Sequence, residues 1–193
     1  MSPSPAKSKK QVLILLGSPR KNGNSAMLAD KCAAGVKEAG GDPVVVHLQN
    51  LKIAPCNACD ACIKNPVKGC VIPDDMQSIY PQLKSAHAVV LASPIYWFNY
   101  SAQLKLVIDR TYAIQKNNTY ALTGKKVGII LTYGDVDLEA SGGVNAVRSL
   151  EDMCRFVKAD IVGIVHGSAE HAGDIAKKED LLAQAFELGK KLV

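Results

Sequence analysis

Apolar residues along this chain follow two patterns, short unbroken runs and stripes at helical spacing. Val12-Leu13-Ile14-Leu15-Leu16 is an unbroken run that ends at Gly17, which predicts a strand covered on both faces. Further runs over 44–48, 88–92, 127–132 and 161–165 predict four more strands. Between the first two runs, Leu28, Cys32, Val36 and Ala39 share one face of a helix over 25–39 that stops at Gly40-Gly41. Asp74 with Gln77 predicts a capping-box start to a helix running to about residue 85. Leu104, Val107, Ile108 and Thr111 stripe a helix over 101–112, and Val144, Val147, Leu150, Cys154 and Val157 stripe another over 142–157. The last helix, over 176–192, turns Leu181, Leu182, Ala185, Phe186 and Gly189 inward. Cys32 and Cys154 therefore belong to the core.

Strands that alternate with helices predict an α/β domain, a doubly wound parallel five-stranded sheet with helices on both faces, because each parallel crossover needs a covering helix. The expected strand order is 2-1-3-4-5. In that order ligands bind beyond the carboxyl ends of strands one and three, where the winding direction reverses. The loops after Leu16, Ala92 and Thr132 lie at that edge. Residues 1–10, rich in Ser, Pro and Lys, read as a disordered tail, and 11–193 as one domain with a cysteine-rich loop at 49–73.

Composition narrows the function classes. A chain of 193 residues with 48% hydrophobic and 21% charged residues suits one domain with a substantial core. No apolar run reaches the roughly 18 residues of a membrane span. The run after Lys9 and Lys10 imitates a signal peptide but is too short and lacks a small-residue cleavage pattern, so the expected location is cytoplasmic. Net charge is +5, with Lys7, Lys9 and Lys10 in the tail, and no basic stripe is interleaved with aromatics. Nucleic-acid binding is therefore not expected. His47, His87, His166 and His171 show no metal-ligand spacing.

After strand one comes Gly17-Ser18-Pro19-Arg20-Lys21-Asn22-Gly23-Asn24-Ser25, a small-residue loop opening into a helix. Free backbone N–H groups and the helix dipole favour an anion there, with Ser18, Asn24 and Ser25 as donors and Arg20 as a charged fork for phosphate oxygens. The same residues also suit a turn that merely caps the helix. Strand three runs into Ser93-Pro94-Ile95-Tyr96-Trp97-Phe98-Asn99-Tyr100, which supplies aromatic faces and backbone donors for a flat ring such as a flavin. Tyr100 reads as core. Tyr133-Gly134-Asp135 can close over the ring, or serve as an ordinary turn.

Taken together, the loop over 17–25, Ser93-Pro94-Ile95-Tyr96, and Gln103-Leu104-Lys105 through Asp109-Arg110 resemble the NADPH-dependent FMN reductase family, over the whole chain beyond the tail. Pro55-Cys56-x-x-Cys59-x-x-Cys62, followed by Cys70, brings it closest to the iron-sulfur flavoproteins. The resemblance implies a flavodoxin-like fold with FMN phosphate at Ser18, Arg20, Gly23, Asn24 and Ser25. It implies the ring near Pro94, Ile95, Tyr96, Trp97 and Phe98 and near Tyr133, Gly134 and Asp135. It also implies a homodimer or homotetramer.

The four clustered cysteines admit three readings. Their first three, at spacing three, resemble a ferredoxin run, so that Cys56, Cys59, Cys62 and Cys70 would hold a [4Fe-4S] cluster. Structural zinc usually comes as two separated Cys-x-x-Cys knuckles, which this is not. Reduced thiols or a labile disulfide in a plain flavin reductase are the third. With a cluster, electrons would pass from a donor such as ferredoxin to FMN and on to a small acceptor such as a quinone, oxygen or peroxide. Without one, NAD(P)H would reduce FMN, which would reduce a quinone, a nitro or azo compound, or free flavin. A flavodoxin-type carrier is the non-enzymatic alternative.

Overall fold

The computed structural model describes residues 9–115 and 119–193. The expected tail falls outside these residues except for Lys9 and Lys10, and Lys10 already accepts a hydrogen bond from the Asp42 N–H at 2.9 Å. The strands are β1 (Gln11–Leu16), β2 (Asp42–His47), β3 (Ala88–Tyr96), β4 (Asn99–Tyr100), β5 (Lys126–Tyr133) and β6 (Asp160–Ser168). The helices are α1 (Asn24–Glu38), α2 (Ala61–Lys64), α3 (Met76–Ser85), α4 (Ala102–Arg110), α5 (Gly143–Val157) and α6 (Glu179–Lys191).

Five strands pair in parallel in the order β2-β1-β3-β5-β6, the expected arrangement. The difference is an additional strand, β4, which pairs antiparallel with β3 through Ile95 and Tyr96. Alternation along β1 divides the core in two. Val12, Ile14 and Leu16 face a layer with α1 and α6, while Leu13 and Leu15 face α3, α4 and α5. All five are buried, which explains why this strand carries no polar residue after Gln11. Helices α1 and α6 meet backbone to backbone: a Cβ on Gly35 would strike the Phe186 carbonyl, and one on Gly189 the Cys32 carbonyl. Cys32 and Cys154 are buried as expected, and burial pushes their thiols up to about 12 and about 11. Tyr100 is core as well.

The expected capping box at Asp74 does not form. Helix α3 begins at Met76, and Gln77 turns its amide away to donate to the Cys70 and Ile72 carbonyls at 3.0 and 2.7 Å. Asp74 accepts from the Met76 N–H at 3.1 Å, but both its oxygens are claimed by a longer-range partner described below. The final helix is shorter than the pattern suggested, because a separate 3-10 turn occupies Asp174–Lys177. Among the described residues no helix is long and apolar enough to cross a membrane.

Candidate functional site

Helix α1 starts without protection at its amino end. Its N-cap, Gly23, offers no side-chain hydrogen bond, and its first turn holds no acidic residue. The first intrahelical bond runs from the Met27 N–H to the Gly23 carbonyl at 3.0 Å, so the N–H groups of Asn24, Ser25 and Ala26 lack helical acceptors. Beside this helix start lies a cavity of about 190 Å³ lined by Ser18, Arg20, Gly23, Asn24 and Ser25, by Pro94, Ile95 and Tyr96, and by Tyr133 and Gly134. The three expected segments thus meet at one place. Thr132, Ala169 and Glu170 also line it and were not expected. Ala169 and Glu170 follow β6, which runs three residues past the apolar pattern and reaches the same sheet edge.

A wider cavity of about 550 Å³ adjoins the first and shares Ile95, Tyr96, Tyr133 and Gly134 with it. Trp97, Phe98 and Asp135 line only this second space. Trp97 and Phe98 form the corner between β3 and β4 with φ of 47° and 64°. A two-residue turn with both φ positive is the type that favours Asn-Gly, so two aromatic side chains there hold strain of about 1 to 3 kcal/mol each. Trp97 is 92% exposed. Beneath the corner, Tyr133 is buried and shares a hydrogen bond of 3.0 Å with His166 Nδ1.

Several side chains at or beside the first cavity already make hydrogen bonds within the protein. Ser18 Oγ donates to the Arg20 carbonyl and accepts from the Arg20 N–H, both at 3.1 Å, which folds the loop. Asn24 donates through Nδ2 to the Ala169 and His171 carbonyls, at 3.3 and 2.9 Å, and its Oδ1 accepts from Gly173 N–H at 3.0 Å. Its amide, expected as a phosphate donor, is instead a tie between α1 and the chain after β6. Arg20 is exposed. Ser101, at the start of α4, donates to the Gly17 carbonyl at 2.8 Å, and its N–H donates to Ser93 Oγ at 2.9 Å. These two serines lock the ends of β1 and β3 to α4, a link that no local pattern announced.

At its other end α4 reaches the cysteines. Cys56, Cys59, Cys62 and Cys70 all line one cavity of about 260 Å³, together with Asp109, Arg110 and Tyr112. Ala58 and Asp60, on either side of Cys59, take left-handed φ of 53° and 55°, reversing the chain between successive cysteines. Cys56 and Cys59 are exposed, and all six cysteines of the chain are free thiols. Among the described residues, no three His, Cys, Asp or Glu side chains gather tightly enough to hold one metal ion.

Arg110 organises this cavity. It is 2% exposed and donates through Nη1 to the Ala54 carbonyl at 2.8 Å and to Asp74 Oδ2 at 2.6 Å. Through Nη2 it donates to Asp74 Oδ1 at 3.1 Å and to Cys70 Sγ at 3.3 Å. Burial alone would raise the Cys70 thiol, but hydrogen bonds from the Ile72 backbone and Tyr80, with the Arg110 charge, hold it below the ordinary value. Burial would likewise raise Asp74, and the Arg110 fork with the Ala54 N–H outweighs it and lowers the carboxyl. Burial raises Cys62.

A family model described as NADPH-dependent FMN reductase matches residues 11–174. An iron-sulfur flavoprotein of Methanosarcina thermophila is 35% identical over 147 residues, 76% of this chain and 74% of that protein. Another, from Methanocaldococcus jannaschii, is 35% identical over 191 residues, 94% of this chain and 95% of that protein. Among solved structures, an NAD(P)H:quinone oxidoreductase from Methanothermobacter marburgensis superposes with a TM-score of 0.73 at 21% identity, covering 96% of this chain and 98% of that one.

Proposed function

The chain belongs to the NADPH-dependent FMN reductase family and is a flavin-dependent oxidoreductase, and from that premise we propose that it is an iron-sulfur flavoprotein relaying electrons through a [4Fe-4S] cluster to FMN and on to a small acceptor. The observation that carries the flavin half is the meeting of Ser18 to Ser25, Pro94 to Tyr96 and Tyr133-Gly134 around one cavity at an uncapped helix start. The N–H groups of Asn24, Ser25 and Ala26 and the guanidinium of Arg20 would hold the phosphate. Pro94, Ile95, Tyr96, Trp97 and Phe98 would pack on the ring, with Tyr133, Gly134 and Asp135 at its edge.

The cysteine cavity carries the thiol donors of an iron-sulfur group. A single zinc needs its sulfurs about 2.3 Å from one point, whereas a cluster spreads its ligands around a larger body. Four thiols lining one cavity of about 260 Å³ supply the donor set that a cluster needs, which supports this reading. Bound FMN would exchange electrons singly or in pairs, and the cluster one at a time. Cys56, Cys59, Cys62 and Cys70 would ligate it, while Arg110 closes the loop that carries them. The reading includes a cytoplasmic location, ferredoxin or NAD(P)H as donor, and a homodimer or homotetramer. The exposed Tyr96, Trp97 and Phe98 support a second subunit at the flavin edge.

A second reading, a cluster-free NAD(P)H-dependent FMN or quinone reductase, is favoured by the absence of three gathered metal ligands among the described residues. The visible spectrum of anaerobically purified protein, with iron and sulfide analysis, separates the two. Two resolved flavin bands with a broad brown shoulder and iron support the first reading. Flavin bands without iron support the second, zinc without iron overturns the cluster, and folded protein that refuses FMN overturns both. A flavodoxin-type carrier would show no turnover with NAD(P)H or any acceptor.

A further inference from the structure

Arg110 touches the cysteine loop at both of its ends, at Ala54 before the first cysteine and at Cys70, the last, with Asp74 just after it. Four of its five N–H groups serve these contacts, and Nε is buried without a partner among the described residues. Among the described residues this cation, at 1% side-chain exposure, has one partner of opposite charge, Asp74, itself 11% exposed. Mere fastening of a loop does not require a charge here: a neutral side chain would avoid the desolvation cost of a buried ion pair. What a guanidinium adds is a donor and a positive charge held against one sulfur.

We propose that Arg110 is a positioning residue that presents Cys70 to the cysteine cavity and raises the reduction potential of the group bound there. The inference rests on the cluster reading and deepens it. Reduction adds one electron, and hence one negative charge, to a thiolate-bound cluster. A hydrogen bond to a ligand sulfur and a nearby buried cation both favour that added charge. The Asp74 carboxylate acts in the opposite sense, because it offsets the Arg110 charge from the far side of the fork. The two residues of one ion pair therefore set the potential in opposite directions.

The test compares anaerobically purified wild type with Arg110→Gln, Arg110→Lys and Asp74→Asn. Iron content, the midpoint potential from a mediated optical titration, and the electron paramagnetic resonance spectrum of the reduced protein are read for each. FMN uptake and circular dichroism serve as folding controls, since the FMN cavity lies at the other end of α4. Arg110→Gln is expected to lower the potential and Asp74→Asn to raise it, with Arg110→Lys between Gln and wild type. Opposite shifts do not follow from general loosening, which acts in one direction. Should the Arg110 variants fail to fold, the near-isosteric Asp74→Asn decides alone, and an unchanged or lowered potential overturns the proposal. Full iron occupancy with an unmoved potential in Arg110→Gln overturns it too, while leaving the cluster reading intact. Wild type free of iron overturns both.

Discussion

A Cβ atom added to Gly142 would run into the ring of Phe98, which rests directly on the start of α5. Gly142 also has φ of 64°, so both its conformation and its contact demand a residue without a side chain. Gly142→Ala is expected to destabilise the fold by about 2 kcal/mol, from left-handed strain together with overpacking. A fall in the urea midpoint with unchanged slope would show this. Displacing Phe98 should also weaken FMN binding, and a variant with wild-type flavin affinity would separate the corner from the ring site.

Arg20 and Asn24 stand four residues apart and are expected to behave differently. Arg20→Ala removes an exposed charge from the cavity rim, so stability should hold while FMN affinity drops by about 1 to 2 kcal/mol, a loss that shrinks in high salt. Flavin fluorescence quenching measures it, and an unchanged affinity would contradict the phosphate assignment.

Asn24→Ala removes the tie to Ala169, His171 and Gly173 and leaves their polar groups to find water. Stability should fall by about 1 to 3 kcal/mol even in flavin-free protein. If the apoprotein melts at the wild-type temperature and only the flavin dissociates more readily, Asn24 acts on the ligand instead.

Thiol accessibility divides the six cysteines. In native protein stripped of metal and reduced, Cys56, Cys59, Cys62 and Cys70 should react with a thiol reagent near neutral pH, and Cys32 and Cys154 only after denaturation. The buried pair also titrates late. Because folding raises both thiols, their contribution to stability is complete below about pH 9 and declines as pH rises through about 11 and 12. A count of six fast thiols in folded protein would contradict this packing.

Acid acts through Asp74. Folding lowers its carboxyl, so its ion pair contributes fully above the ordinary carboxylate value and is lost as pH falls below about 4. Asp74→Asn should therefore be less stable at neutral pH and should lose part of the steepness of acid unfolding. Equal slopes for the two proteins below pH 4 would remove Asp74 from that transition.

The strand interiors were legible because strands such as 12–16 and 127–132 are buried on both faces and tolerate almost nothing polar. The end of β3 was not. Pro94 reads as a loop residue, yet it pairs with Thr132 of β5 at a position beyond the last pairing with β1. On that open side no N–H is needed, so proline is tolerated. The phosphate loop was found from its small residues, but the occupation of Asn24 depends on chain 145 residues away and leaves no local trace. Arg110 likewise looks like a cation suited to a helix end, and its burial follows from partners at 54, 70 and 74. Glu170 has no local signal, because β6 outruns its apolar run.

Helix α4 carries Ser101 at its start, fixed to Gly17, and Arg110 as its last residue, fixed to Cys70. Nine residues of helix make a rod of about 13 Å. One stiff element thus links the two cavities alongside the long connection over 49–73, whose own residues line the cysteine cavity. One inserted residue would rotate Arg110 by about 100° and uncouple the two ends, while leaving every side chain of both cavities in the sequence.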